Sequence, residues 1–353
     1  MKKFATMLLS AGVLGLAAGC SSDIIEEGPV EHTGMISFGT TNVSKDSRAA
    51  LADGEALTST NLTEFYVYGR YTSTNGQEIN VFTGEKTTKT TDGKWTYEGG
   101  NRYWLPGLSY NFYAFSCGNV ADIDADTDRP KYAEFGENGL EFKSYSCHNH
   151  DLVLAEAEGE KRAENEATPV NLKFKHILTR LKFSFNCQTP SSDYTIELSE
   201  VKLRGQYKTA DFDSEKWTNH SEESDNVSID IDGESSLIPS KDGEYLSCKP
   251  LFVIPNAYAD GTKHVVLSFT MTIKYGTEVI LTRNVEATWT PDWKQGHSMN
   301  NKVTIKFQDA TGLKPIEFTA EVVKGENGEE DGWTESDGGL KDITFTPQAS
   351  SGN

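Results

Sequence analysis

The sequence predicts an all-β fold, and three observations carry that prediction: strand-period alternation, short apolar runs, and turn residues between the runs. In the clearest run Val265, Leu267, Phe269, Met271, Ile273 and Tyr275 alternate with Val266, Ser268, Thr270, Thr272 and Lys274. One face suits a core and the other is mostly for water, as a side-chain period of two requires. Val303, Ile305 and Phe307 repeat the pattern, as do Ile316, Phe318, Ala320 and Val322, and then Ile343 with Phe345. Asp92-Gly93, Asp232-Gly233, Asp242-Gly243 and Asp260-Gly261 have the chemistry of tight turns.

Aromatics gather first at Trp95 and Tyr97, then from Tyr103 to Phe115, with Pro106-Gly107 between. That dipeptide predicts a turn joining a strand that bears Trp104 to a strand from Tyr110 to Phe115. A sandwich core is the favoured destination of these rings, and a sugar-stacking surface the alternative. Ala155 to Ala167 has helical composition but is charged on every side and lacks an apolar stripe. It predicts a solvated loop or short surface helix leading into Thr168-Pro169. Beyond it Leu172 and Phe174 set one strand parity, whereas Leu181, Phe183 and Phe185 set the other. A bulge or bend at His176 to Arg180 reconciles them.

At the N-terminus Lys2 and Lys3 precede the apolar run Met7 to Ala18, and small residues lead to Cys20. This is the order of a secretory signal, and the run is too short to span a hydrocarbon core of about 30 Å. Leu16-Ala17-Ala18-Gly19-Cys20 resembles a lipobox, in which the cysteine thiol is acylated before cleavage in front of it; Ala17 stands where leucine is commonest. Several acyl chains, at about 0.8 kcal/mol per buried methylene, make a stable tether. Residues 1–19 are therefore read as signal peptide, 20–33 as an acidic flexible spacer, and 34–169 and 170–353 as two domains. The boundary sits near Pro169, where a composition shift, a proline and a fresh strand coincide.

The 353 residues carry a formal charge of −20, and loss of Lys2 and Lys3 with the signal deepens it. Such a surface repels phosphate backbones and anionic headgroups, which argues against nucleic-acid partners and electrostatic membrane binding. With Cys20 acylated, Cys117, Cys147, Cys187 and Cys248 remain for an oxidising compartment. One disulfide in each half and four buried thiols are both open readings, because spacing does not fix pairing.

No catalytic constellation stands out. The chain lacks a Gly-x-Ser-x-Gly elbow, a phosphate-cradling glycine loop with lysine, and His-Glu-x-x-His, so it is read as a non-enzyme without a cofactor. Asp122, Asp124, Asp126 and Asp128 place carboxylates at alternate positions, as calcium favours. The loop rule then fails, for Thr127 or Arg129 replaces the turn glycine and Ala133 or Phe135 the closing glutamate. A solvated acidic loop is the better reading. Cys147-His148-Asn149-His150-Asp151 offers softer ligands, but one compact cluster without a second set is a weak zinc site.

Several degenerate pieces follow one another in order. Met35-Ile36-Ser37-Phe38 precedes an arginine-bearing loop, Asp46-Ser47-Arg48-Ala49, and then Leu62 to Gly69. The Trp104-Leu105-Pro106-Gly107 turn leads into Tyr110 to Phe115, and Leu172 to Phe183 carries Phe174-Lys175-His176. Phe252-Val253-Ile254-Pro255-Asn256, Trp293-Lys294-Gln295-Gly296 and Ile316-Glu317-Phe318 complete the series. In this order and spacing the chain resembles the fimbrillin family of Bacteroidales, lipoprotein subunits of donor-strand pili. Gly296-His297-Ser298-Met299 departs from the family's usual aromatic-rich turn.

The resemblance implies two tandem transthyretin-like β-sandwiches, 34–169 and 170–353, after the lipoprotein signal. It further implies that a trypsin-like protease cuts between Arg48 and Ala49, removing a strand that includes Ile36 and Phe38. Another subunit's strand then fills the groove, since an unpaired edge offers main-chain hydrogen bonds and alternate apolar pockets. The donor would come from residues 340–347, with Ile343 and Phe345 as plugs. An ordinary loop arginine and an ordinary closing strand are the competing readings for these positions.

The resulting reading is a structural or tip-adhesin subunit of a pilus, on the outer membrane through its lipid and in the fimbrium after processing. Its partners would be other subunits, the protease, and a host or bacterial surface receptor. Asp23, Glu26 and Glu27, just after Cys20, resemble the surface-export signal of this bacterial group. The rival reading is a cell-surface glycan-binding lipoprotein that uses exposed tryptophans.

Overall fold

The structure, a computed structural model, describes residues 34–40, 56–58, 61–118, 133–136, 138–147, 150–163, 166, 168–188, 192–221, 226–231, 234, 236–239, 244–257, 264–306, 318–320, 334–337 and 346–347. Every regular element among them is a strand, and no helix is long and apolar enough to cross a membrane. The all-β expectation therefore holds.

The N-terminal half is built on one six-stranded antiparallel sheet. Its strands, in spatial order, are Phe174–His176, Val153–Glu160, Ser109–Ser116, Glu64–Thr72, Glu78–Lys89 and Trp95–Tyr97. Both faces of its centre are covered, which explains why Phe65-Tyr66-Val67-Tyr68 and Phe112-Tyr113-Ala114-Phe115 read as continuous apolar runs rather than alternations. Phe65, Val67, Phe112 and Ala114 enter one core with Ile36, Phe38 and Phe82. Tyr66, Tyr68, Tyr113 and Phe115 enter a second, with Leu140, Phe142 and Phe212. At Gly69 a Cβ atom would lie 2.9 Å from the Phe112 ring and 3.0 Å from Phe82, so the missing side chain lets these rings close over the strand.

One local expectation is corrected here and another is resolved. The segment from Ala155 is no loop or helix at its start, because Val153–Glu160 is a strand paired with Ser109–Ser116. Val153, Ala155 and Ala157 point into the first core while Glu156 and Glu158 face the other way, a period of two that small alanines concealed. The parity change between Phe174 and Phe183 is made by a bend, the second of the two expected forms: one strand ends at His176, the next starts at Thr179, and Ile177 and Leu178 are buried between them. Pro106-Gly107 does form the expected turn, with Gly107 at φ 81°.

Strands of the C-terminal half form two sheets around a third core. Thr179–Gln188 runs parallel to His297–Lys306, and Tyr194–Arg204, Val265–Tyr275 and Glu278–Trp289 form an antiparallel meander. Leu181, Phe183 and Phe185 meet Leu267, Phe269 and Met271 across the interior, face to face as in a sandwich. The alternation read from Val265 onward is observed, except that Tyr275 ends it exposed.

The halves also share structure. Val170–Leu172 and Phe174–His176, just past Pro169, pair with Phe38–Thr40 and Val153–Glu160. Thr209–Phe212 pairs with Leu140–Ser146, so one four-stranded sheet takes strands from both sides of Pro169. Within the C-terminal half, Trp217 Nε1 donates a 2.7 Å hydrogen bond to the Ile177 carbonyl.

The four remaining cysteines are thiols. Cys147 donates to the Phe252 carbonyl and Cys187 to that of Pro239, at 3.1 and 3.2 Å. Burial, assisted by Asp230, pushes the Cys248 thiol up to about 12. Only Cys147 of the four is not fully buried. A maleimide added to the native protein near pH 8 should therefore label Cys147 first and leave Cys248 unmodified until denaturant is added; rapid native labelling of Cys248, read by peptide mass, contradicts this packing.

Candidate strand-exchange site

The segment Gly34 to Thr40 has the geometry of an inserted strand. On one side Ile36 N donates to the Arg102 carbonyl at 2.8 Å and Trp104 N to the Gly34 carbonyl at 2.9 Å, around an antiparallel bridge of Met35 with Tyr103. On the other side Phe38–Thr40 runs parallel to Val170–Leu172, in the register Phe38 to Val170, and Val170 N donates to the Ser37 carbonyl at 2.8 Å. The Tyr97 hydroxyl donates to the Ile36 carbonyl at 2.9 Å. The segment thus bridges two pieces of chain that each turn a polar edge toward it.

Its alternate side chains fill the core beneath. Ile36 is fully buried, and the Phe38 ring meets Phe65, Phe82, Tyr97 and Phe112 edge-on at centroid distances of 5.5 to 6.1 Å. Burial of each side chain stabilises by about 1.5–3 kcal/mol, with edge-to-face aromatic pairs adding about 0.5–1.5 kcal/mol. Burial also raises the Tyr97 hydroxyl above its ordinary value, which keeps it a hydrogen-bond donor.

Two arginines brace the walls of this slot. Arg102 donates to the carbonyls of Val81, Gly99 and Gly100 and pairs with Glu85 at 3.1 Å, which fixes the segment that bonds Ile36. Arg162 lies 4.8 Å above the Trp104 ring, pairs with Glu160 at 2.7 Å and donates to the Thr168 and Pro169 carbonyls. It clips the approach to Val170–Leu172 onto the opposite wall. Neither arginine belongs to a sequence pattern that marks it; only the structure brings them to one slot.

Residues 56–58 are held by a different device. Asp151 has no exposed surface, and its Oδ2 accepts from Leu57 N at 2.7 Å while Oδ1 accepts from Leu152 N at 2.8 Å. His176 Nδ1 stands 2.8 Å from the same Oδ2. Leu57 and Leu62 lie in the same core as Phe38. Gly34–Thr40 and Leu57 therefore share a core but make their main-chain hydrogen bonds to different partners.

Other sequence-derived sites distribute as follows. Cys20, Arg48, Ala49, the Asp122, Asp124, Asp126 and Asp128 set, and Ile343 and Phe345 lie outside the described residues. Thr346–Pro347, just beyond Phe345, pairs with Val285 and Glu286. Asp151 of the zinc-like run spends its carboxylate on the contacts above, and no group of three metal-ligating side chains occurs among the described residues. Trp95 and Trp104 are buried in the first core, so the aromatic cluster packs the sandwich as favoured and presents no tryptophan platform for sugars.

Comparison with known proteins follows the fold. The family model described as fimbrillin-like matches residues 47–323. A crystal structure of a fimbrial protein from Bacteroides vulgatus is similar at 19% identity, with a TM-score of 0.51 over 73% of this chain and 91% of that one. A candidate cell adhesion protein from Bacteroides uniformis aligns at 15% identity and a TM-score of 0.42, over 86% of this chain and 100% of that one. At such identity the first likeness is one of fold. No curated protein matches the sequence.

Two substitutions test the two fastenings separately. Phe38→Ala should lower unfolding stability by about 3–5 kcal/mol through the cavity it leaves among four rings. Asp151→Ala should lower it by about 2–6 kcal/mol through two orphaned buried amides. Urea denaturation of each variant measures both, and a loss under about 1 kcal/mol in either removes the corresponding fastening.

Proposed function

The chain belongs to the fimbrillin-like family, and on that premise we propose that it is a subunit of a cell-surface pilus assembled by strand replacement. The observation that carries the reading is the slot at Gly34–Thr40. A short strand, upstream of Arg48 in sequence, plugs two apolar side chains into a core between two polar edges. Removing it would expose both edges and the sockets of Ile36 and Phe38, which suits an incoming extended strand of alternate apolar residues.

In this scheme Cys20 carries the lipid that holds the precursor on the outer membrane, and a trypsin-like protease cuts between Arg48 and Ala49. The Asp151 carboxylate keeps Leu57 in place, so the new N-terminal segment stays docked while Gly34–Thr40 leaves. The donor is the C-terminal stretch of another copy, with Ile343 and Phe345 entering the sockets of Phe38 and Ile36. Residues 34–169 and 170–353 act as two sandwiches joined rigidly by their shared sheet. The family is one of structural fimbrial proteins and not of enzymes. The rival glycan-binding reading loses Trp95 and Trp104 to the core.

N-terminal sequencing of protein recovered from the cell surface tests the scheme. The expected product begins at Ala49 and forms multimers that resist protease and detergent, and Arg48→Ala abolishes both. Surface protein that always begins at acylated Cys20, in wild type and variant alike, rejects processing-dependent assembly. Radiolabelled palmitate should enter the precursor but not a Cys20→Ser variant.

A further inference from the structure

Beside the seam of the two halves lies a cleft of about 740 Å³. Its floor is apolar, made by Leu154, Ile177 and Phe212 of the shared core. Three lysines stand on its rim: Lys175 lies on the edge strand of the large sheet, Lys173 just before that strand, and Lys216 in the turn after Thr209–Phe212. On a chain of net charge −20, three lysines around one cleft are a local reversal of sign. None of the three forms a salt bridge among the described residues. Low-dielectric walls focus the field of such charges into the opening.

The rim is also held in shape. Asp213 Oδ1 accepts from Lys216 N at 2.9 Å and fixes the turn that presents Lys216, with Ser214 at φ 72°. The opposite lip is Gln295-Gly296, where Gly296 N donates to the Leu178 carbonyl at 2.9 Å. Gly296 has φ 69°, and a Cβ there would come within 3.0 Å of the His176 carbonyl oxygen, so glycine is what lets this lip approach. Glu156 and Glu215 add two carboxylates. Desolvation first, and Glu158 second, raise the Glu156 carboxyl above its ordinary range while Lys175 opposes the rise, and three lysines against two carboxylates leave the lining one positive charge in excess.

We propose that this cleft binds a sugar acid, a ring carrying hydroxyls and one carboxylate, either free or at the end of a glycan. The lysines receive the carboxylate, the apolar floor takes the C–H face of the ring, and Gln295 and Glu215 exchange hydrogen bonds with hydroxyls. The volume lies within the ~300–1,000 Å³ typical of small-molecule sites. A bare inorganic anion would leave the floor uncovered, and a neutral sugar would leave the lysines unanswered. The site goes beyond assembly, since it uses no residue of the strand slot.

Isothermal titration of the full chain with D-glucuronate tests the proposal, at low ionic strength because exposed charges are screened over about 10 Å at 0.1 M salt. D-glucose and inorganic phosphate serve as matched probes, and a glucuronate-ended oligosaccharide separates a free acid from a glycan terminus. The expected result is saturable binding of glucuronate, weaker binding of both controls, and about a tenfold rise in Kd, about 1.4 kcal/mol, for Lys175→Glu. Lys94→Glu, on another hairpin, should leave Kd unchanged. If Lys175→Glu melts early, Lys175→Gln takes its place. Absence of saturation by folded wild type, equal affinity for glucose or phosphate, or an unchanged Kd in the lysine variant each overturns the site.

Discussion

A carboxylate sealed from water is costly unless every oxygen is answered, and the architecture here is organised around one that is. Asp151 accepts from the amides of Leu57 and Leu152 and lies beside His176 Nδ1. Those partners belong to three separate stretches: residues 56–58, the residue just before Val153–Glu160, and the end of Phe174–His176. Leu57 and Val153 belong to the first core, while Leu152 and Ile177 belong to the second. The contact therefore stands at the seam of two cores and fixes their relative register. Apolar packing alone would tolerate sliding there, because hydrophobic attraction has no direction.

That seam also explains why the junction is more than a linker. Interfaces between domains of one chain are ordinarily modest and permit motion. Here backbone ladders of Thr209–Phe212 with Leu140–Ser146 and of Phe174–His176 with Val153–Glu160 bind the halves directly. The lysine-rimmed cleft arises from the same arrangement, for its floor and lips come from elements on both sides of Pro169. A rigid seam is what makes a preformed cleft available at so little ordering cost.

How much of this was legible in the sequence depends on whether a residue's environment repeats with strand period. Val265 to Tyr275 was readable because one face meets a core and the other meets water. Phe65 to Tyr68 was readable only as apolar, since a sheet covered on both faces erases alternation. Val153–Glu160 was misread because alanine serves helix and tight strand packing alike, and its glutamates masked the period. Ile36 and Phe38 were picked out through resemblance to a family, and their burial is now explained by the slot they fill. Arg102, Arg162 and the Asp151 fastening were invisible for a simpler reason. Their partners are mostly backbone carbonyls and amides, which every sequence contains, so only folding selects which ones they meet.

The slot itself poses a thermodynamic question that the fold answers. While Gly34–Thr40 remains attached to the rest of the chain, it competes for its own sockets at an effective concentration of order mM, fixed by the connecting segment. A donor strand from another copy, present at far lower concentration, loses that contest even with equal contacts. Cutting between the slot strand and Leu57 removes the advantage while keeping the main-chain bonds of the slot strand and the Asp151 bond to Leu57, because these use different partners. From then on the outcome depends on contacts alone, and a longer donor with equal plugs and more ladder bonds wins. Proteolysis acts in this scheme as a change of molecularity: it leaves the groove's chemistry intact and alters only which strand can hold it.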